Sequence, residues 1–157
     1  MIENLQDFTT SLPPLLQWLG VMAAGAIPFV ESYFGSVIGI FAGVPFLLAV
    51  AAAVVGNVAT MVLTVSVTHG VRGRMAGPAK EASPRRQRLR RSFDRYGVAG
   101  VSLLGQTVLP SQITSAALVS FGAPKRTVIV WQVVSIVLWG VVFGVLALLG
   151  VDLVGSR

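Results

Sequence analysis

The chain has 157 residues, of which 54% are hydrophobic and only 11% charged; it has no cysteine and one histidine, His69. Soluble domains carry about 25% charged residues, so this composition points away from a water-filled surroundings and towards lipid, in a single domain. The lack of cysteine excludes a disulfide framework and a Cys-ligated metal site, and one histidine leaves little to hold a transition metal, so neither metal nor cofactor is expected.

The net charge of +6 is concentrated. No Lys or Arg precedes Arg72; then come Arg72, Arg74, Lys80, Arg85, Arg86, Arg88, Arg90, Arg91 and Arg95, and afterwards only Lys125, Arg126 and Arg157. Flanked by apolar runs, this block reads as a cytoplasmic loop that follows the positive-inside rule, and no nucleic-acid partner is expected.

At the N-terminus Glu3 and Asp7 stand where a cleavable signal needs basic residues, so the apolar segments are expected to be retained. Residues 12–43 are apolar but interrupted by Gly20, Gly25, Pro28, Glu31, Gly35 and Gly39. They predict a re-entrant helical hairpin with arms at 12–25 and 29–41 and its tip at Ala26-Ile27-Pro28. The first arm is also long enough to span or to lie at an interface. Residues 44–70 form a clean run, and about 20 apolar residues suffice to cross a bilayer.

The basic loop, 71–96, contains Ser83-Pro84, a serine cap followed by proline at the first helical position. A short cationic helix over 85–96 follows from it, with Leu89, Phe93 and Tyr96 on one face. Arg85, Arg86, Arg88, Arg90 and Arg91 are then candidate contacts for lipid headgroups; a solvated loop is the plain alternative.

Residues 97–124 repeat the pattern of the first hairpin. Arg95 and Lys125-Arg126 place both ends on the cytoplasmic side, and fewer than 30 residues separate them. Two crossings need about 40, so the segment is predicted to enter and turn back at Pro110-Ser111-Gln112, where proline breaks the helix, with arms at 98–109 and 113–121. Residues 126–151 supply a second span. Gly43-Val44-Pro45 corresponds to Gly122-Ala123-Pro124, and Phe41 loosely to Phe121. With one span per half, the halves have opposite orientation, the inverted-repeat plan of many secondary transporters.

Glu31 is the only acid between Asp7 and Glu81. A carboxyl group at membrane depth is costly and usually marks an ion, proton or substrate path; a shallow tip at the outer rim is the plainer explanation. Gln106, Thr107, Ser111, Gln112, Thr114 and Ser115 make the second hairpin polar. If the tips meet, Glu31 and Gln112 face one cavity, with Ser32, Ser111 and Gln106 beside them and Pro28 and Pro110 at the turns. These polar groups equally suit the capping of broken helix ends. Asn57, Gln132 and Ser135 lie within the spans, where helix-to-helix bonding is the simpler role; Asn57 is also a candidate ion or substrate contact. Gly140 and Gly144 form a GxxxG, a signal for a homodimer. No nucleophile with a nearby base and no P-loop is present, so an enzyme is not expected, and active transport would draw on an ion gradient or a partner.

Gly25-Ala26-Ile27-Pro28 with an acid after it, Gly56-Asn57, Asp94-Arg95-Tyr96-Gly97 and Leu109-Pro110-Ser111 together resemble the small multidrug export protein family, from about Gly20 to Gly150. That family looks distantly related to the DedA and VTT proteins. The resemblance implies two opposed re-entrant hairpins and links to drug export, polyprenyl-phosphate recycling or lipid scrambling. Family members often have Glu-Leu-Arg before Gly-Ala-Ile-Pro; here Met22-Ala23-Ala24 stand there, and the acid follows the proline.

The expectation is an all-α, multi-pass plasma-membrane protein with the basic loop in the cytoplasm. Its expected function is secondary transport or export, proton- or cation-coupled, of a small cationic or amphiphilic substrate. The alternatives are a flippase or scramblase for polyprenyl phosphate or phospholipid, and a membrane scaffold that anchors a partner through residues 85–96.

Overall fold

A run of Val, Ala and Leu without proline propagates one helix until a proline or a left-handed glycine stops it. This rule sets the element order in the computed structural model, which describes residues 1–72, 84–106 and 108–155. The elements are α1 (Ile2–Ser11), a 3-10 turn (Pro14–Leu16), α2 (Gln17–Ala26), α3 (Glu31–Phe41), α4 (Phe46–Arg72), α5 (Pro84–Gly105), α6 (Ser111–Phe121) and α7 (Lys125–Gly155). No strand occurs among the described residues. Ser83, proposed as a helix cap, and Arg74, Lys80, Thr107 and Arg157 lie outside the described residues, as do the side chains of Arg72, Arg85 and Arg86.

Helices α4 and α7 are long and apolar enough to cross a membrane. Only 39% and 28% of their most apolar stretches are buried, which is unlike the core helix of a soluble domain. Leu47, Val55, Leu63 and Val67 on α4, and Leu138, Leu146 and Leu149 on α7, point outward.

The chain divides into two compact units. The first comprises residues 1–60 and 136–157. In it α2 and α3 form an antiparallel hairpin, with Gly25 against Gly35 and Val21 against Gly39. Both helices lie on α4 through residues with little or no side chain. A methyl group at Gly25 would strike the Ala53 backbone, and one at Gly56 would strike the Met22 carbonyl. Helix α7 closes the other side: a carbon added at Gly140 would sit 3.3 Å from Ser32 Cβ and Val54 Cγ2, and one at Gly144 2.9 Å from Val50 Cγ2. The GxxxG seam read as a dimer contact is thus filled by this chain's own α3 and α4.

The first arm does not extend over 12–25 as a single helix. Pro13 and Pro14 lead into the 3-10 turn, and α2 proper has ten residues. Ten residues rise about 15 Å, half of the roughly 30 Å of a hydrocarbon core, so α2 cannot span. Helix α1 lies before the first predicted element. Its buried Thr9 packs on Gly20, and its hydroxyl donates to the Leu5 carbonyl at 2.7 Å.

The second unit comprises residues 61–135. Helix α5 is kinked at Gly97 (φ 66°, ψ −168°), in a region essentially restricted to glycine. The kink falls at the predicted boundary between the basic helix and the second hairpin. The first arm of that hairpin ends at Gly105, earlier than the expected 109, because the Val108 and Leu109 amides both bond the Gly105 carbonyl, at 3.0 and 2.8 Å. The second arm begins at Ser111, earlier than 113, because Pro110 takes the N-cap position (ψ 145°).

Both hairpins end alike. Gly43 (φ 83°) donates to Ile40 and Val44 to Gly39; Gly122 (φ 106°) donates to Val119 and Ala123 to Leu118. This pairing of amides with carbonyls three and five residues back is the Schellman motif, and in each case a proline follows and a long helix begins. The correspondence of Gly43-Val44-Pro45 with Gly122-Ala123-Pro124 therefore extends to local geometry.

Gly56→Ala is expected to destabilise the fold by about 1–3 kcal/mol through overpacking against α2. Gly43→Ala, with nothing within 4 Å of the new carbon, should cost only the left-handed strain, about 1–2 kcal/mol. Thermal unfolding of the purified variants checks the order.

Candidate functional site

In the first unit the helix break between Ala26 and Glu31 is closed by one carbonyl. Ile27 O accepts from the Val30 and Glu31 amides at 3.1 and 3.0 Å. The turn forces two residues with side chains, Phe29 (φ 72°) and Glu31 (φ 53°), into left-handed backbone. That conformation costs about 1–2 kcal/mol per residue, and such strain clusters where structure serves function. Pro28 lies in this turn, as predicted.

Glu31 opens α3 and is fully buried, the only charged side chain in the buried set of described residues. Beside it Ser32 is fully buried, and its hydroxyl donates to the Ile136 carbonyl of α7 at 2.7 Å. Ser36 in turn donates to the Ser32 carbonyl at 2.6 Å. Asn57, also fully buried, adjoins Gly56, where α4 meets the last turn of α2. An aromatic group of Tyr33, Phe34, Phe143 and Trp139 flanks these residues, with centroid separations of 4.9 to 6.1 Å.

In the second unit the polar residues converge on one turn of α5. Ser135 Oγ on α7 lies 2.8 Å from the Ser102 carbonyl and 2.7 Å from Gln106 Oε1, and Thr114 on α6 packs against Gly105. Ser111 Oγ donates to Gln112 Oε1 at 3.4 Å, and the Ser115 hydroxyl bonds the Ser111 carbonyl. The polar residues of this group are all buried, as is Gln132, one turn before Ser135 on α7. The Ser102 and Thr114 hydroxyls, the Gln106 amide nitrogen and both polar atoms of the Gln132 amide find no hydrogen-bond partner among the described residues.

The structure therefore places Glu31, Ser32 and Asn57 in one unit and Gln106, Ser111 and Gln112 in the other. Ser135 has the helix-to-helix role read from the sequence. Gln132, given the same role, makes no side-chain hydrogen bond among the described residues. Ser102 was not singled out; its spacing of four from Gln106 in an apolar arm was the available signal. Among the described residues no group of three or more His, Asp or Glu could hold a metal ion.

On the basic helix, Arg88, Arg90, Arg91 and Arg95 are exposed. Arg90 pairs with Asp94 at 3.2 Å, a contact worth little in water. Its guanidinium also lies 5.2 Å from the centroid of Phe121, whose ring is 6.0 Å from that of Phe93. Phe93 thus rests on the end of α6, while Tyr96 stays 52% exposed.

No protein-family model, curated protein or solved structure matches the chain.

Ser135→Ala removes the hydroxyl that ties α7 to α5 and should cost about 1 kcal/mol, read as a lower unfolding temperature. Phe121→Ala removes the surface on which Arg90 and Phe93 rest. Amides of residues 87–95 should then exchange hydrogen at least tenfold faster than in the parent, while those of α7 stay protected.

Proposed function

We propose that the protein is a multi-pass membrane protein that carries a small cationic or amphiphilic substrate, with Glu31 as its proton or cation site. The outward apolar faces of α4 and α7 support a lipid surround. Arms of ten and eleven residues in the first hairpin, too short to cross, support re-entry from one side. Non-helical backbone survives at such depth only where it is buried or lines a cavity.

The observation that carries the transport reading is the Glu31 tip. A fully buried carboxyl group sits at a helix break held in strained backbone, a combination that a purely structural turn does not need. The resemblance of Gly25-Ala26-Ile27-Pro28 and Gly56-Asn57 to the small multidrug export proteins favours export. The shared caps after both hairpins favour an inverted repeat. The exposed arginines of α5 suit the anionic cytoplasmic leaflet.

A lipid flippase or scramblase is the second reading. It is favoured by the uncharged polar residues of the second hairpin, which would ease a headgroup past an apolar wall.

The test uses purified protein in liposomes that enclose a pH-sensitive dye. Tetraphenylphosphonium, a small metal cation and a short polyprenyl phosphate are added in turn. One class should trigger proton movement, and Glu31→Gln should reduce that signal at least tenfold while the variant unfolds at the parental temperature. An undiminished signal in Glu31→Gln removes Glu31 from the mechanism. Silence towards all three, with redistribution of a labelled lipid in the absence of a gradient, favours the second reading.

A further inference from the structure

Five polar atoms in the second unit are buried without a partner among the described residues: three belong to residues at a single turn of α5, and two to Gln132, one helical turn before the Ser135 that bonds that turn. Ser102 and Gln106 lie on that turn, Thr114 packs on Gly105 between them, and Ser135, which bonds both ends of the turn, is one turn beyond Gln132. Buried polar groups are almost always satisfied, so a cluster of exceptions calls for a ligand that supplies what the protein does not.

The chemistry of the cluster defines that ligand. Two hydroxyls and an intact amide can each donate and accept, and Gln106 adds further N–H donors. None of these groups is charged, and Glu31 of the other unit is the only buried ionisable side chain described. A phosphate or an ammonium group would leave water without a compensating charge, which is strongly unfavourable. Adjacent hydroxyls fit: each accepts from an amide N–H and donates to Gln132 Oε1 or to a side-chain hydroxyl oxygen.

We propose that Ser102, Gln106, Thr114 and Gln132 bind an uncharged hydroxyl-rich group, either the diol head of a neutral amphiphile or a free polyol. The site does not depend on proton coupling at Glu31, and its test leaves that residue intact.

The experiment measures equilibrium binding of radiolabelled monooleoylglycerol to the full-length protein in detergent. Binding should be saturable, and at least tenfold weaker in both Gln132→Leu and Thr114→Val. Free glycerol is added as competitor. Displacement shows that the site takes the diol itself, and failure to displace shows that the acyl chain is part of the ligand; either supports the site.

The unliganded variants supply a second readout. Leucine in place of an unsatisfied amide relieves a buried polar cost, so Gln132→Leu should unfold at or above the parental temperature while it loses ligand. A lower unfolding temperature with undiminished binding would make Gln132 a packing residue and overturn its role. Equal or tighter binding of oleoylglycerol phosphate, lost in the same variants, would overturn the uncharged class. Absence of saturable binding, or parental affinity in both variants, would overturn the site, leaving water as its occupant.

Discussion

A helix that stops inside an apolar surround leaves amides and carbonyls that must find partners, because each buried orphan costs on the order of 1–3 kcal/mol. Both hairpins meet this constraint in the same economical way. At each tip a single carbonyl, Ile27 O or Gly105 O, takes two amides from the far side of the turn. At each exit a left-handed glycine returns two amides to the preceding helix. These four closures let the short arms stop and reverse with the amides at their turns and exits paired.

The two tips use the constraint differently. The first strains its backbone and buries a carboxyl group; the second buries neutral amides and hydroxyls and keeps ordinary backbone in its described residues. Helix contacts differ in how closely backbones approach, although in each unit a serine hydroxyl bonds across to a neighbouring helix. In the first unit backbone nearly touches backbone through Gly25 and Gly56, so dispersion between close surfaces carries much of the packing. In the second, Ser135 bonds across to α5, and hydrogen bonding takes part of the load.

Much of this architecture was legible because glycine and proline act locally. Pro28, Pro110, Gly43, Gly97 and Gly122 each mark a turn, a kink or a cap within a residue or two of where the sequence put it. The arm lengths were less legible, since a 3-10 turn after Pro13-Pro14 and the double use of the Gly105 carbonyl depend on geometry that hydrophobicity does not encode. Helix α1 escaped notice because its helical spacing, Leu5 and Thr9 on one side, is carried by a threonine that looks polar until it packs on Gly20. Glu31 stood out as a lone acid in an apolar run. Ser102 did not, and Gln132 read only as a helix-to-helix contact, because a single neutral polar residue in a helix looks the same whether or not it binds a neighbour. The glycines of Trp139-Gly140-Val141-Val142-Phe143-Gly144 show the same ambiguity: a small-residue face specifies close approach, not whose helix approaches.

The Ser32–Ile136 hydrogen bond and the Gly140 and Gly144 contacts join the beginning of the chain to its end. During synthesis the first hairpin leaves the ribosome roughly a hundred residues before its last wall exists. Until α7 arrives, the groove between α3 and α4 stands open and the Ser32 hydroxyl lacks the Ile136 carbonyl. The first unit is thus completed last, and a stalled or truncated chain carries an exposed seam ready to pair with any small-faced helix nearby.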